Sequence, residues 1–322
     1  MNLSGLIPIH PLTLVPNYCA GTNIYLWNEK TQATVKFLSS EQIVSQSSFS
    51  FLIANPEQKV YVEDTSYQSY QDYLIENLEA WLVETRVPRM LKTAVVTEYF
   101  HTQYSKAYQQ KTVSAMLASG NDCCQKLGNL GHHIEINGRE LQRILRHDDS
   151  FVTHAVNTAF YTYLIAECRG YCAEMIIDVC VGAMIHDIGK IEPSFLDDNS
   201  ELMSGTDHDW SEESRNAHPT EGFRRLCNEP GITTTQLLMT YQHHERPDGK
   251  GFPVGLWNDE VHEASKICAV ANRFDGLTSN RPHRPGMTRL ASLRVMEPEK
   301  NTALDSEMIR CLEEKLNQVS TN

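Results

Sequence analysis

Residues 173–190 read AEMIIDVCVGAMIHDIGK, and their spacing decides how the second half of the chain folds. Ile177, Val181, Met184, Ile185 and Ile188 recur at helical intervals, which predicts a helix that buries one face and closes on His186-Asp187. The apolar stretch, Met175 to Ile185, is eleven residues long and contains Asp178. A bilayer crossing needs roughly 18 apolar residues, so no membrane span is expected. The same period surrounds this segment on both sides. Phe151, Val152, Ala155, Val156, Ala159 and Phe160 carry His154; Leu237, Leu238 and Tyr241 lead into His243-His244. Ile267, Val270, Ala271 and Phe274 carry Asn272 and Asp275, three apart and on one helix face. His218-Pro219 predicts a helix start, because proline is tolerated at the first helical position. Everything after about Arg139 therefore reads as helices separated by loops.

Upstream the pattern differs. Ile24-Tyr25-Leu26-Trp27, a polar turn over residues 28–32, Val35-Lys36-Phe37-Leu38, Phe49–Ile53 and Val60–Val62 read as strands of a small β domain. From Tyr67 the helical period returns through Tyr70, Leu74, Leu78, Trp81 and Leu82 and ends near Pro88. Arg89 to Leu117 has no Pro or Gly and predicts one long connecting helix that serves as a homodimer contact. Ser119 to Gly138 is rich in turn signals (Gly120-Asn121, Gly128-Asn129, Gly131, Asn137-Gly138) and is expected to hold the domain boundary, with His132-His133 in a solvated loop. The expected fold class is α+β: a β-rich regulatory or docking domain over 1–85, a helical connector over 86–138 and an all-α domain over 139–322.

The 322 residues are 41% hydrophobic and 21% charged, with net charge −13, which suits folded domains and not disordered or fibrous chains. Such an acidic surface repels DNA, so a small anionic substrate must meet locally concentrated positive charge such as metal ions. Nine cysteines without a CxxC pair argue against a disulfide scaffold or a thiolate zinc site. Cys168 and Cys172, four apart on an expected helix, read as packing residues. Met1-Asn2-Leu3-Ser4 lacks positive charge, and Pro8, Pro11 and Pro16 interrupt the dozen or so residues after it. A secretory signal is not expected, and the cytoplasm is.

His154, His186, His218, His243 and His244, offered from several helices with one carboxylate, are what a divalent transition metal needs. Adjacent His-Asp lets an imidazole bind one cation while the Asp187 carboxylate bridges to a second. Two cations about 3.5–4 Å apart acidify a water and clamp a phosphoryl group, which is the chemistry of phosphoester hydrolysis.

The strings HDIGK (186–190) and HHERPDGKGFP (243–253) resemble the HD-GYP family of HD-domain phosphohydrolases over about Asp148 to Leu316. The resemblance implies an all-α HD-GYP domain with two or three iron or manganese ions that hydrolyses cyclic di-GMP. By position it implies metal ligands at His154, His186, Asp187, His218, His243 and His244, with Asp187 and Lys190 catalytic and Lys190 holding the substrate phosphate. It places Gly251, Phe252, Arg281 and Arg284 against substrate, the two arginines lying in a TSNRPHR segment that is similar to the family's TSDRPYR. Glu245 and Asp275 are expected to support these groups from behind. Four positions depart from the family pattern. Phe252 replaces the tyrosine of GYP, and His283 replaces the tyrosine of RPYR. Ser150 stands where members with three metals carry a glutamate. Asn272 stands where the family has a ligand aspartate, so either Asn272 coordinates weakly or Asp275 takes over. The expectation is two metals and linear pGpG as product. Alternatives are turnover of 3′3′-cyclic GMP-AMP, or a binding module without turnover that serves signalling partners.

Overall fold

The computed structural model describes residues 5–55, 58–191 and 212–318. The residues pack as two units: Met1–Thr102 with Asn129–Ile136, and Gln103–Gly128 with Asn137–Asn322.

The first unit is built on a four-stranded antiparallel sheet, β1 (Leu6–Ile9), β2 (Ile24–Asn28), β3 (Ala33–Leu38) and β4 (Val60–Glu63), in the order β1-β4-β2-β3. Ile24 lies opposite Val62 on one side and Leu38 on the other. β1 was not among the expected strands, because Pro8 speaks against one. It is accommodated because β1 is an edge strand, where a missing ladder donor is tolerated. The strand expected over Phe49–Ile53 is instead helix α1 (Gln46–Ala54). The Ser45 side chain accepts from the Ser48 N–H and starts the helix, and the buried residues Phe49 and Leu52 are spaced by three rather than two. Helix α2 (Tyr67–Val83) buries Leu74, Leu78 and Trp81, and Trp81 meets Tyr73 and Tyr18 edge-on. Each buried leucine contributes about 1.5–3 kcal/mol.

The connector is two helices, α3 (Arg89–Gln109) and α4 (Val113–His133), rather than one. The break falls at Lys111, whose φ of 57° is incompatible with a continuing right-handed helix. Of the glycines read as turn signals, Gly120, Gly128 and Gly131 lie inside α4 and Gly138 opens α5. A Cβ on Gly128 would come within 2.9 Å of the Ile177 side chain. His132 and His133 occupy the last turn of α4 and are exposed there, not in a loop. The division between the two units falls within α3 and α4.

The second unit continues with α5 (Gly138–Ile144), α6 (Phe151–Cys168), α7 (Ala173–Ile185), α8 (Glu212–Leu226), α9 (Thr234–Gln242), α10 (Glu263–Thr278), α11 (Arg289–Met296) and α12 (Ser306–Asn317). α6 is the central helix. Residues 155–166 are all buried, and it packs against α7, α10 and α12, while α9 packs against α7, α8 and α10. The helix expected to start at His218 begins at Glu212 and contains Pro219 in its interior. Its opening run Glu-Glu-Ser-Arg-Asn has no apolar residue, so periodicity is silent there. Cys168 ends α6 and Cys172 is the N-cap residue of α7, so the two do not share a helix. All nine cysteines are free thiols. Among the described residues no helix is long and apolar enough to cross a membrane.

Candidate metal centre

Asp187 follows the C-cap of α7 and is almost completely buried, 3% exposed. Its two oxygens face different pairs of histidines. Oδ2 lies 3.4 Å from His154 Nε2 and 3.3 Å from His186 Nε2, while Oδ1 lies 3.3 Å from His218 Nε2 and 3.4 Å from His243 Nε2. α6 supplies His154 and α8 supplies His218, whereas His186 and His243 cap the C-terminal ends of α7 and α9. Those helix ends also fix which ring nitrogen is available. His186 Nδ1 donates to the Ala183 carbonyl at 2.7 Å and His243 Nδ1 to the Thr240 carbonyl at 2.9 Å, leaving each Nε2 lone pair pointing at Asp187. His154 Nδ1 donates to Asp275 Oδ2 at 2.6 Å, so the nitrogen that faces Asp187 is again Nε2.

The ligand atoms fall into two groups, each drawn within 4.8 Å: Asp187, His218, His243 and His244, and His154, His186 and Asp187. These donors suit divalent cations. Bonds of about 2.0–2.2 Å to one ion place neighbouring ligand atoms roughly 3.0–3.5 Å apart, which is the spacing of the Asp187 oxygens from His154, His186, His218 and His243. His186 Nε2 and Asp187 Oδ1 are buried with no hydrogen-bond partner. The Nε2 atoms of His218 and His243 approach to 3.1 Å, a contact that a cation between them relieves.

Electrostatics agree with this reading. Burial pushes the pKa of His186 down, that of His243 down to about 3, and that of His244 well down, so all three imidazoles are neutral at pH 7, the form a cation requires. Burial opposes charge on Asp187, but His186, Lys190 and His154 hold its carboxyl well below the usual range. Burial also opposes protonation of His154, yet Asp187 and Asp275 outweigh it and raise its pKa to about 9. Lys190 Nζ sits 2.8 Å from Asp187 Oδ2, on the edge of the centre.

A cavity of about 670 Å³ opens beside the histidines, lined among others by His243, His244, Phe252, Asn272, Arg281 and Arg284. Phe252 stacks on His244 at 4.6 Å with a 19° interplanar angle, so the ring without a phenol still packs against one of the clustered histidines. Gly251 cannot be replaced without moving backbone, since a Cβ there would lie 2.4 Å from the Arg246 nitrogen. Glu245, expected to orient a histidine, instead accepts from the backbone N–H groups of Val254, Gly255 and Leu256 and holds the loop that carries Phe252. Arg281 pairs with Asp149, and Arg284 donates to the carbonyls of Gly276 and Leu277. Asp275 is not placed as a direct ligand. It lies on the Nδ1 side of His154, away from Asp187, and its other oxygen accepts from Asn157 at 2.7 Å and Ser279 at 3.1 Å. Asn272, one turn earlier on α10, lines the cavity. Ser150 caps α6 by accepting from the Thr153 N–H. The roles of Asp149 and Asn157 carried no signal in the sequence, because both act through partners more than a hundred residues away.

Residues 174–308 match the family described as "HD domain". Over this segment the chain is similar to HD domains. The matched segment contains every expected ligand except His154, which precedes the match on α6. The chain is 32% identical over 166 residues to 3′3′-cGAMP-specific phosphodiesterase 3 of Vibrio cholerae, covering 51% of this chain and 35% of that protein. It is 26% identical over 240 residues to the cyclic di-GMP phosphodiesterase response regulator RpfG of Xanthomonas campestris, covering 72% and 60% respectively. It is also 26% identical over 172 residues to cyclic di-GMP phosphodiesterase PA4108 of Pseudomonas aeruginosa, covering 53% and 40%. The chain thus spans between about a third and three fifths of these relatives. A solved structure of Bd1817, described as a HDG"Y"P protein from Bdellovibrio bacteriovorus, shares the fold with a TM-score of 0.63 at 16% identity, over 97% of this chain and 100% of that one. The resemblance to HD-GYP proteins drawn from the two motifs is upheld.

Proposed function

We propose that the chain hydrolyses cyclic di-GMP to linear pGpG at a centre of two divalent cations, iron or manganese. The single observation that carries this reading is the Asp187 carboxylate, each of whose oxygens faces its own pair of imidazole nitrogens. His154, His186 and Asp187, with Asn272 as a weak fourth donor, would hold one cation; Asp187, His218, His243 and His244 would hold the other. When bound, the cations make a water nucleophilic at neutral pH and neutralise phosphoryl charge. The chain's own groups do the rest. Asp187 keeps the two halves of the centre in register. Lys190 turns its ammonium toward the phosphoryl oxygens as negative charge accumulates on them. Arg281 and Arg284 meet the second phosphate across the cavity, and Gly251 and Phe252 form the wall against which the substrate lies.

The relative from Vibrio cholerae named for 3′3′-cGAMP favours a second substrate reading, with Phe252 and His283 at the cavity as the positions that select the base. Residues 1–85 are read as a regulatory or docking module and residues 86–138 as the connector, in a cytoplasmic signal-transduction protein with signalling partners. The connector is read as a homodimer contact; light scattering at twice the 36.6 kDa chain mass is the expected result. The functional test is purification without oxygen, a metal count per chain, and product chromatography with both cyclic dinucleotides. Two metals and accumulation of pGpG are expected. A metal-replete chain that binds either nucleotide without turnover overturns the enzyme reading in favour of a binding module.

A further inference from the structure

Three of the imidazoles around Asp187 have a visible partner behind the ring, and one of these partners differs in charge. His186 and His243 rest on neutral backbone carbonyls, whereas His154 rests on the carboxylate of Asp275. That carboxylate is 1% exposed and is gripped from its far side by Asn157 and Ser279. It is therefore fixed in place, and its charge is only weakly screened. The half of the centre it supports is also the half with the poorer donor set. The His218 side gathers three imidazoles and Asp187, while the His154 side has two imidazoles and the same shared carboxylate, and the donor assigned to it by motif position, Asn272, is a neutral amide.

We propose that Asp275 is a positioning residue that supplies, through the His154 ring, the negative charge that Asn272 does not bring, and thereby sets the affinity of the His154–His186 position for its cation. A carboxylate behind an imidazole orients the ring and makes its free nitrogen a better donor. Asn272 and Asp275 lie three residues apart on α10, so one helix face offers two places for the same charge: direct at 272, or relayed at 275. This inference rests on the two-cation reading of the centre.

The experiment uses the full chain, stripped of metal and titrated with Mn2+ against a chromophoric chelator, comparing wild type, Asp275→Asn, Asn272→Asp and the double variant. Wild type is expected to take up two ions in a stronger and a weaker step. Asp275→Asn should weaken the weaker step about 10–100-fold and leave the stronger one in place. Asn272→Asp should tighten that same step, and by a larger factor in the Asp275→Asn background than in wild type, since it restores the missing charge. Asn272→Asp removes no buried contact, so it reads the proposal even where Asp275→Asn does not fold; in that case an unchanged weaker step in Asn272→Asp overturns it. Equal affinities in wild type and Asp275→Asn, or the same factor for Asn272→Asp in both backgrounds, also overturn the proposal. A wild-type chain that takes up no Mn2+ removes the two-cation reading itself, an outcome distinct from either.

Discussion

Asp187 serves four imidazoles with two oxygens, and among the described residues no other carboxylate joins both groups of histidines. Asp187→Ala is therefore expected to lose both cations and all turnover, checked by metal analysis and a hydrolysis assay; an active, metal-replete variant refutes the bridge. His154 gives a proton-linked prediction. Its pKa in the metal-free protein is raised from 6.5 to about 9, so its ion pairs stabilise the fold fully below about pH 6.5 and are lost as pH rises through about 9. A cation needs the neutral ring, so Mn2+ uptake at about pH 7.5 should expel a proton from this residue. Calorimetry in two buffers of different ionisation enthalpy measures that proton, and His154→Gln should lack it. Phe252 is tested by its ring: Phe252→Tyr should keep the metal content, while Phe252→Ala should lose about 0.5–1.5 kcal/mol of stacking on top of its burial, read from thermal unfolding. The candidate ligands were legible because the strings at 186–190 and 243–253 resemble a family pattern, in which His154 and His218 also have matching positions. The partner of His154 was not, because nothing in the spacing of α10 says that Asp275 turns toward α6.

The helices that carry ligands were readable wherever an apolar stripe runs their length, as in α6, α7 and α10. The reading failed where a local device overrides the pattern. Ser45 turned an apolar run into α1, Lys111 split the connector, and Gly128 inside α4 serves close packing rather than a turn. The loop after α9 shows how a single side chain organises an irregular element. Glu245 is 4% exposed and satisfies three consecutive backbone donors, Val254 to Leu256, in a stretch without regular structure. Glu245→Gln sets amide hydrogens against some of those N–H groups. The expected cost is about 1–3 kcal/mol, seen as a lower melting temperature and faster hydrogen exchange at residues 254–256. Because the N–H groups it holds belong to residues 254–256, well past His243 and His244, the metal count should stay at the wild-type value.

The candidate cation centre draws on α6, α8 and the ends of α7 and α9, so metal binding there would be coupled to the packing of this unit. A cation present at about a hundredfold excess over its dissociation constant adds about 2.7 kcal/mol per site, and chelation should lower the melting temperature accordingly. The α+β class and the helical second half followed from periodicity alone. How the chain is partitioned did not, because Asn129–Ile136 group with the residues up to Thr102, across residues 103–128 that belong to the other unit. A chain beginning at residue 86 would keep residues 86–102 and 129–136 without the strands and helices they pack with, and is expected to show exposed apolar surface by dye binding. The backbone leaves the first unit inside α3, returns inside α4 and leaves again before α5. Transplanting either half onto a foreign protein is thus not a matter of one splice: each graft would need paired junctions, and recombination at a lone crossover should yield broken chimaeras.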